Sequence, residues 1–176
     1  MSDLAAPDYA EPLEAWRTWR VVSGPDGPRL SSLFFEEVWK PNAAVEARCN
    51  RRSWLDRFGR FRQAHAAPGE HCECGVYGAR IEQAAAYLWH PRIAPRRAHL
   101  HVLGRVRLWG DVVECERGYR AALAYPAELI VPALPGGRSG EIADGLGRYG
   151  VPVRLVECRT REEIVQAARD TLRPAA

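Results

Sequence analysis

The feature that most constrains the fold is a change of hydrophobic period at residue 99. Residues 99–134 read HLHVLGRVRLWGDVVECERGYRAALAYPAELIVPAL, a stretch rich in Val and Leu that in places alternates apolar with polar side chains. Such alternation is typical of half-buried β-strands, and Gly104, Gly110 and Gly118 interrupt it. We therefore predict a meander of short antiparallel strands that can curl into a small barrel.

Further elements are predicted on both sides of this block. Residues 15–22 (AWRTWRVV) and 30–39 (LSSLFFEEVW) have the composition of strands and are separated by a Gly- and Pro-rich turn. Residues 42–65 indicate a helix, because Trp54, Phe58 and Phe61 share one helical face. Residues 141–150, 151–158 and 160–172 indicate helix, strand and helix, and Thr160 with Glu163 has the spacing of a capping box. The predicted class is α+β, with an antiparallel, barrel-like central sheet, packed helices and a C-terminal α-β-α segment.

Length and composition favour one folded unit. With 176 residues and 47% hydrophobic residues, the chain is long and apolar enough for one core. We predict a flexible N-terminus at residues 1–13 and a single α+β domain at 14–172, with a metal-binding subregion at 49–75. The sequence has no apolar run of about 18 residues, the minimum for a membrane span.

The N-terminus and the cysteines suggest a compartment. Four acidic residues precede Arg17, the first basic residue, and this pattern does not fit a signal peptide. We therefore expect a cytoplasmic protein. In that reducing compartment, five cysteines are expected as free thiols or metal ligands rather than as disulfides. We interpret Cys115 and Cys158 as core residues of strands.

Charge is distributed unevenly along the chain. The net charge is only +3, but the segment 48–107 holds twelve arginines and four acidic residues, a balance of +8. Within it, RCNRRSWLDRFGRFR interleaves arginines with aromatic residues, as phosphate contacts and base-stacking platforms do. A solvated helix face explains the same pattern. The candidate nucleic-acid or anion contacts are Arg51, Arg52, Arg57, Arg60, Arg62, Arg96 and Arg97.

Cysteines and histidines cluster within the same segment. The set Cys49, His65, Cys72 and Cys74 has the spacing C-x15-H-x6-C-x-C, followed directly by Gly75. A structural zinc site takes four such ligands in a tetrahedron. His71 is a fifth candidate, which we interpret as a spectator. Three other interpretations stay open: ordinary buried cysteines, a C-x-C disulfide used in thiol exchange and an iron–sulfur cluster.

Two blocks of the sequence resemble an actinobacterial protein family from which no activity can be carried over. The first block joins an isolated Cys to HAAPGEHCECGVYG, and the second is GRVRLWGDVVECERGYRAALAYP at residues 104–126. The resemblance covers residues 16–156 and implies that Cys49, His65, Cys72 and Cys74 form one ligand set. Cys115 departs from the family pattern, in which a His is expected, so residue 115 is not implied as a ligand.

The remaining motifs carry weaker functional signals. The GYRA motif, together with neighbouring aromatic residues, is compatible with a pocket that has an arginine anchor for an anion, although a hairpin turn with core aromatics is the simpler explanation. Its candidate residues are Trp109, Tyr119, Arg120 and Tyr125. No Ser-His-acid or Cys-His arrangement for nucleophilic catalysis is evident in the sequence.

We therefore expect a small binding or regulatory module rather than an enzyme. It would have a structural zinc site and a basic face for nucleic acid or an acidic protein partner. The alternative is a thiol-redox or metal-dependent enzyme that uses Cys72 and Cys74.

Overall fold

The computed structural model describes residues 11–49, 65–88, 100–133 and 137–170. Within these ranges it contains seven strands, three α-helices and one short 3-10 helix. The strands are β1 (Leu13–Gly24), β2 (Gly27–Ser31), β3 (Val45–Glu46), β4 (Val76–Ala79), β5 (Leu100–Cys115), β6 (Gly118–Ala133) and β7 (Val153–Glu157). The helices are α1 (Ile81–Ala85), α2 (Ser139–Leu146), the 3-10 helix (Gly147–Tyr149) and α3 (Arg161–Asp170).

The fold is α+β, as predicted, and is built around the β5–β6 hairpin. β1 pairs antiparallel with β5, β5 with β6, β6 with β4, and β4 returns to β1 through the pair Trp16–Ala79. These four strands form a partial ring but not a regular barrel. β2 extends the sheet beside β1, and β3 pairs with β6. β7 joins β6 in parallel after the α2 crossover, so the sheet is not wholly antiparallel.

The prediction of several short strands in residues 99–134 is wrong. β5 and β6 are each 16 residues long, and two β-bulges, after Arg105 and after Trp109, interrupt their pairing. Bulges bend a strand without ending it. Gly104 lies inside β5, where a Cβ would stand 2.1 Å from the carbonyl oxygen of Glu128. Gly104 therefore permits close backbone packing and does not break the strand.

Apolar side chains alternate between two faces of the sheet. Trp19, Val102 and Leu129 belong to one buried cluster, together with Ile142 and Leu146 of α2. Leu103 and Ile130, each adjacent in sequence to a member of the first cluster, belong to a second cluster under α1 and α3. Because successive strand residues point to opposite faces, the helices cover both sides of the sheet. This arrangement explains why the strands carry so many apolar residues.

Other sequence predictions have mixed outcomes. The predicted strand at 30–39 is wrong after Ser31, because its second half forms only one bridge, between Ser31 and Val38. The C-terminal α-β-α segment is confirmed by α2, β7 and α3. Its capping box is confirmed too: the Glu163 amide donates to Thr160 Oγ1 at 3.2 Å, and the Thr160 amide donates to Glu163 Oε2 at 3.3 Å. No described helix is long and apolar enough to cross a membrane.

Candidate metal centre

Four side chains from two separate chain segments meet beside the sheet. Cys49 follows β3, whereas His65, Cys72 and Cys74 lie in the loop 65–75 that precedes β4. Their donor atoms all lie within 4.8 Å of one another. Cys49 Sγ stands 3.7 Å from Cys72 Sγ, and His65 Nε2 stands 3.2 Å from Cys74 Sγ. The predicted ligand set is therefore brought together in space.

The distance between two of the sulfurs matches the ligand spacing around one tetrahedral ion, whereas the 3.2 Å from His65 Nε2 to Cys74 Sγ is shorter than that spacing. Zinc bonds of about 2.3 Å to sulfur and about 2.0 Å to nitrogen place neighbouring ligands roughly 3.5–3.8 Å apart. The 3.7 Å between the sulfurs of Cys49 and Cys72 lies in that range and is far longer than a disulfide bond of about 2.05 Å. All five cysteines are free thiols. The donor set thus has the size and chemistry of a Cys3His metal site.

Pairing with one strand explains how the two segments meet. β3 pairs with β6 at Val45–Ala124, and β4 pairs with β6 nearby at Val76–Ala121. The Ala47 amide extends the first pairing by donating to the carbonyl of Ala122 at 2.7 Å. Because both β3 and β4 pair with β6, Cys49 and the loop 65–75 are brought close together. The predicted helix at 42–65 is wrong at its beginning, where Val45–Glu46 forms β3, and its residues 50–64 lie outside the described residues.

Turns with main-chain and sulfur contacts shape the loop 65–75. The Cys72 amide donates to the carbonyl of Gly69 at 3.1 Å, and the Gly69 amide donates to Cys74 Sγ at 3.3 Å. Gly75 has a φ of +129°, which disfavours residues with a Cβ. A Cβ there would also stand 3.0 Å from the Cβ of Arg120. The turn therefore requires a glycine directly after the C-x-C pair.

The two sulfurs of the C-x-C pair have different proton affinities. The backbone amide of Cys74, helped by the neighbouring thiols and His65, lowers the pKa of Cys72 to about 6, although burial acts in the opposite direction. Burial raises the pKa of Cys74. Of these two thiols, Cys72 therefore gives up its proton more readily, and metal ligation requires the deprotonated form.

An arginine lies against the loop on the side of β6. Arg120 is buried, and its Nη1 donates to the carbonyls of Gly69 (3.2 Å), Cys74 (2.7 Å) and Cys72. Its Nε donates to Cys115 Sγ at 3.2 Å. The sequence singled out Arg120 as an anion anchor but missed these carbonyl contacts. These contacts depend on the pairing of β4 with β6, which places Arg120 opposite Tyr77, three residues after Cys74.

The other predicted pocket residues are spread along β5 and β6. Trp109 pairs with Leu123, and Tyr119 lies between Glu114 of β5 and Gly78 of β4. The Tyr125 hydroxyl donates to the carbonyl of Tyr149 at 2.8 Å. The pocket itself stays a prediction.

The remaining two cysteines and His71 lie outside the four-residue cluster. Cys158 is buried, as predicted, but it follows β7 and does not lie in the strand. Cys115 ends β5, as predicted, but is only half-buried, so its assignment to the core is wrong. His71 is exposed and does not belong to the four-residue cluster found among the described residues.

The predicted nucleic-acid contacts lie outside the described residues. This applies to Arg51, Arg52, Arg57, Arg60, Arg62, Arg96 and Arg97.

Comparison of the chain with models of protein families, with curated proteins and with solved structures found no match. The resemblance in the two sequence blocks therefore stays a prediction.

Proposed function

We propose that Cys49, His65, Cys72 and Cys74 bind one zinc ion with a structural role in a small cytoplasmic binding or regulatory module. The observation that carries this proposal is the approach of four donor atoms, from two chain segments, to within 4.8 Å of one another. When bound, zinc supplies four bonds of fixed geometry between those segments. The protein residues then tie the end of β3 to the loop before β4.

The number of ligands favours a structural role over a catalytic one. Catalytic zinc sites usually keep three protein ligands and leave the fourth position for water or substrate, whereas structural sites are closed by four. Here four protein donors lie within bonding reach of one ion. The proposed site thus has no position left at which water would be activated.

Metal analysis of the purified protein tests the site. One equivalent of zinc per chain is expected, and Cys49→Ser or Cys72→Ser should lower it well below one. Cys158→Ser is the matched control, because Cys158 is buried under α3, in the second core cluster. Absence of metal together with a stoichiometric disulfide among Cys49, Cys72 and Cys74 would contradict the proposal and favour the thiol-redox enzyme.

The partner we propose is nucleic acid, bound by the arginines that lie between two of the zinc ligands in sequence. The chain leaves the site at Cys49 and returns to it at His65, and residues 51–62 between them hold five arginines. A metal bond at each end fixes where this basic segment starts and finishes. Such a segment suits the phosphate backbone, whose contacts dominate nucleic-acid affinity.

Salt-dependent binding tests this partner. Fluorescence anisotropy with a labelled single-stranded oligonucleotide and a labelled duplex should show affinity that falls steeply with salt. The double variant Arg51→Ala/Arg52→Ala should reduce the slope of log K against log salt by about one per lost phosphate contact. Arg159→Ala/Arg161→Ala, which removes two exposed arginines outside the basic segment, should bind like the wild type. No binding to either oligonucleotide at low salt would contradict the proposal and leave an acidic protein as the partner.

A further inference from the structure

Arg120 is an unusual residue to find buried beside this site. Its exposed fraction is 6%, and burial of a guanidinium costs free energy unless the charge is compensated. None of the ion pairs found among the described residues includes Arg120. Its partners are three carbonyl oxygens and the sulfur of Cys115. The described structure thus gives this cation no carboxylate as counterion.

The ligand set supplies a negative charge at the same place. Three thiolates and one neutral imidazole around a divalent ion carry a net charge of −1. The Arg120 side chain reaches the carbonyls of Cys72 and Cys74 themselves, two of the ligand residues. A loaded site and Arg120 therefore neutralise each other in a partly desolvated environment, where such attraction is stronger than in water.

The same contacts fix the loop. Gly69, Cys72 and Cys74 turn their carbonyl oxygens toward one guanidinium nitrogen. Three carbonyl dipoles that converge repel one another unless a cation lies between them. Arg120 therefore stabilises the turn that orients Cys72 and Cys74 toward Cys49 and His65, in the way that residues behind metal ligands commonly orient them.

We infer that Arg120 is a positioning residue of the metal centre, which holds the loop 65–75 in its ligating shape and balances the charge of the loaded site. This inference rests on the proposed metal site. The anion that Arg120 of the GYRA motif binds is then the negatively charged, metal-loaded ligand set of the protein itself.

Zinc affinity of Arg120 variants tests the inference. The full-length wild type, Arg120→Met and Arg120→Lys are titrated with zinc against a chromophoric chelator, and the metal-free proteins are unfolded in urea. Arg120→Met should bind zinc about 10–100-fold more weakly, and Arg120→Lys, which keeps the charge, should recover part or all of that loss. Arg117→Met, which removes an exposed arginine from the turn between β5 and β6, is the matched control and should bind like the wild type.

The outcomes separate this inference from the proposed function. Wild-type affinity in Arg120→Met overturns the positioning role but leaves the metal site standing, even if the metal-free variant is less stable. A wild type that binds no zinc overturns the metal site itself, and the inference with it. If Arg120→Met does not fold, the neutral Arg120→Gln carries the same comparison with Arg120→Lys.

Discussion

The β5–β6 core and the cysteine loop 65–75 are stabilised by different kinds of interaction. Around the hairpin, Trp19, Leu103 and Leu129 are fully buried in two apolar clusters. In the loop, by contrast, the only buried residues are Ala67 and Pro68, and the loop contains no regular helix or strand. Its shape depends on a buried arginine, hydrogen bonds to sulfur and, in our proposal, four metal bonds.

This contrast indicates which region the proposed metal would stabilise. Apolar burial stabilises by roughly 25 cal/mol per Å² whether or not an ion is present. A loop without such burial has to compensate its conformational entropy in another way. We therefore expect two regions that respond to different perturbations: the core to loss of apolar volume and the loop to loss of metal.

A cavity in the core should have the largest effect. Trp19 is fully buried and packs edge-on against Trp39, with ring centroids 5.4 Å apart. Trp19→Ala should lower the free energy of unfolding by about 3–5 kcal/mol, equally in zinc-loaded and metal-free protein, as measured by urea denaturation. Leu155→Ala, at a position 50% exposed, is the control and should change it by less than about 0.5 kcal/mol. An effect of Trp19→Ala that disappears without zinc would show that the two regions are not independent.

Removal of zinc should come next in size. Loss of a ligand present at a hundredfold excess over its Kd lowers the free energy of unfolding by about 2.7 kcal/mol. In the metal-free protein, hydrogen exchange should be fast at residues 65–75 and near Cys49, while the amides between β5 and β6 stay the best protected. Equal exchange rates in both regions would contradict the division into a metal-independent core and a metal-dependent loop.

A single methyl group at Gly69 should weaken metal binding selectively. A Cβ at Gly69 would lie 2.6 Å from Nε2 of His65 and 3.3 Å from Cβ of Cys72. Gly69→Ala should therefore displace His65 and raise the zinc Kd about tenfold, with no change in the urea midpoint of metal-free protein. Gly140→Ala in α2 is the matched control, because a Cβ there meets no atom within 4 Å, and it should leave the Kd unchanged. Equal Kd values for both variants would show that His65 is not a ligand.

The smallest expected effect is a difference between the two sulfurs of the C-x-C pair. In metal-free protein at pH 7, Cys72, whose pKa is lowered to about 6, is mostly thiolate. Cys74, whose pKa is raised by burial, is mostly protonated. Iodoacetamide should therefore alkylate Cys72 faster than Cys74, as followed by peptide mass spectrometry, and zinc should protect both. Faster alkylation of Cys74 would contradict this assignment.

The sequence predicts the ligand set and the fold class because both depend on local signals. A C-x-C-G turn with an isolated Cys and a His can be recognised without knowing the fold, and β1 is recognisable from alternation in residues 15–22. The capping box at Thr160 and Glu163 is equally local.

Contacts distant in sequence could not be predicted in the same way. The pairing of β3 and β4 with one strand, and the contact of Arg120 with a loop 46–51 residues earlier, depend on register. The interpretation of Gly104 as a break is wrong for the same reason, since the carbonyl that forbids a Cβ there belongs to Glu128 of the neighbouring strand. The helix predicted at residues 42–65 is wrong at Val45 for the same reason, because β3 pairs with β6 there.

X-ray absorption at the zinc edge of metal-loaded protein tests the central claim most directly, because it counts the ligands. The proposed site should give three sulfur neighbours at about 2.3 Å and one nitrogen neighbour at about 2.0 Å. The zinc that Cys49→Ser still binds should have only two sulfur neighbours, whereas Cys115→Ser should leave the sulfur count at three. A first shell of oxygen and nitrogen only, or a sulfur count that falls with Cys115→Ser and not with Cys49→Ser, would contradict the Cys49, His65, Cys72 and Cys74 site.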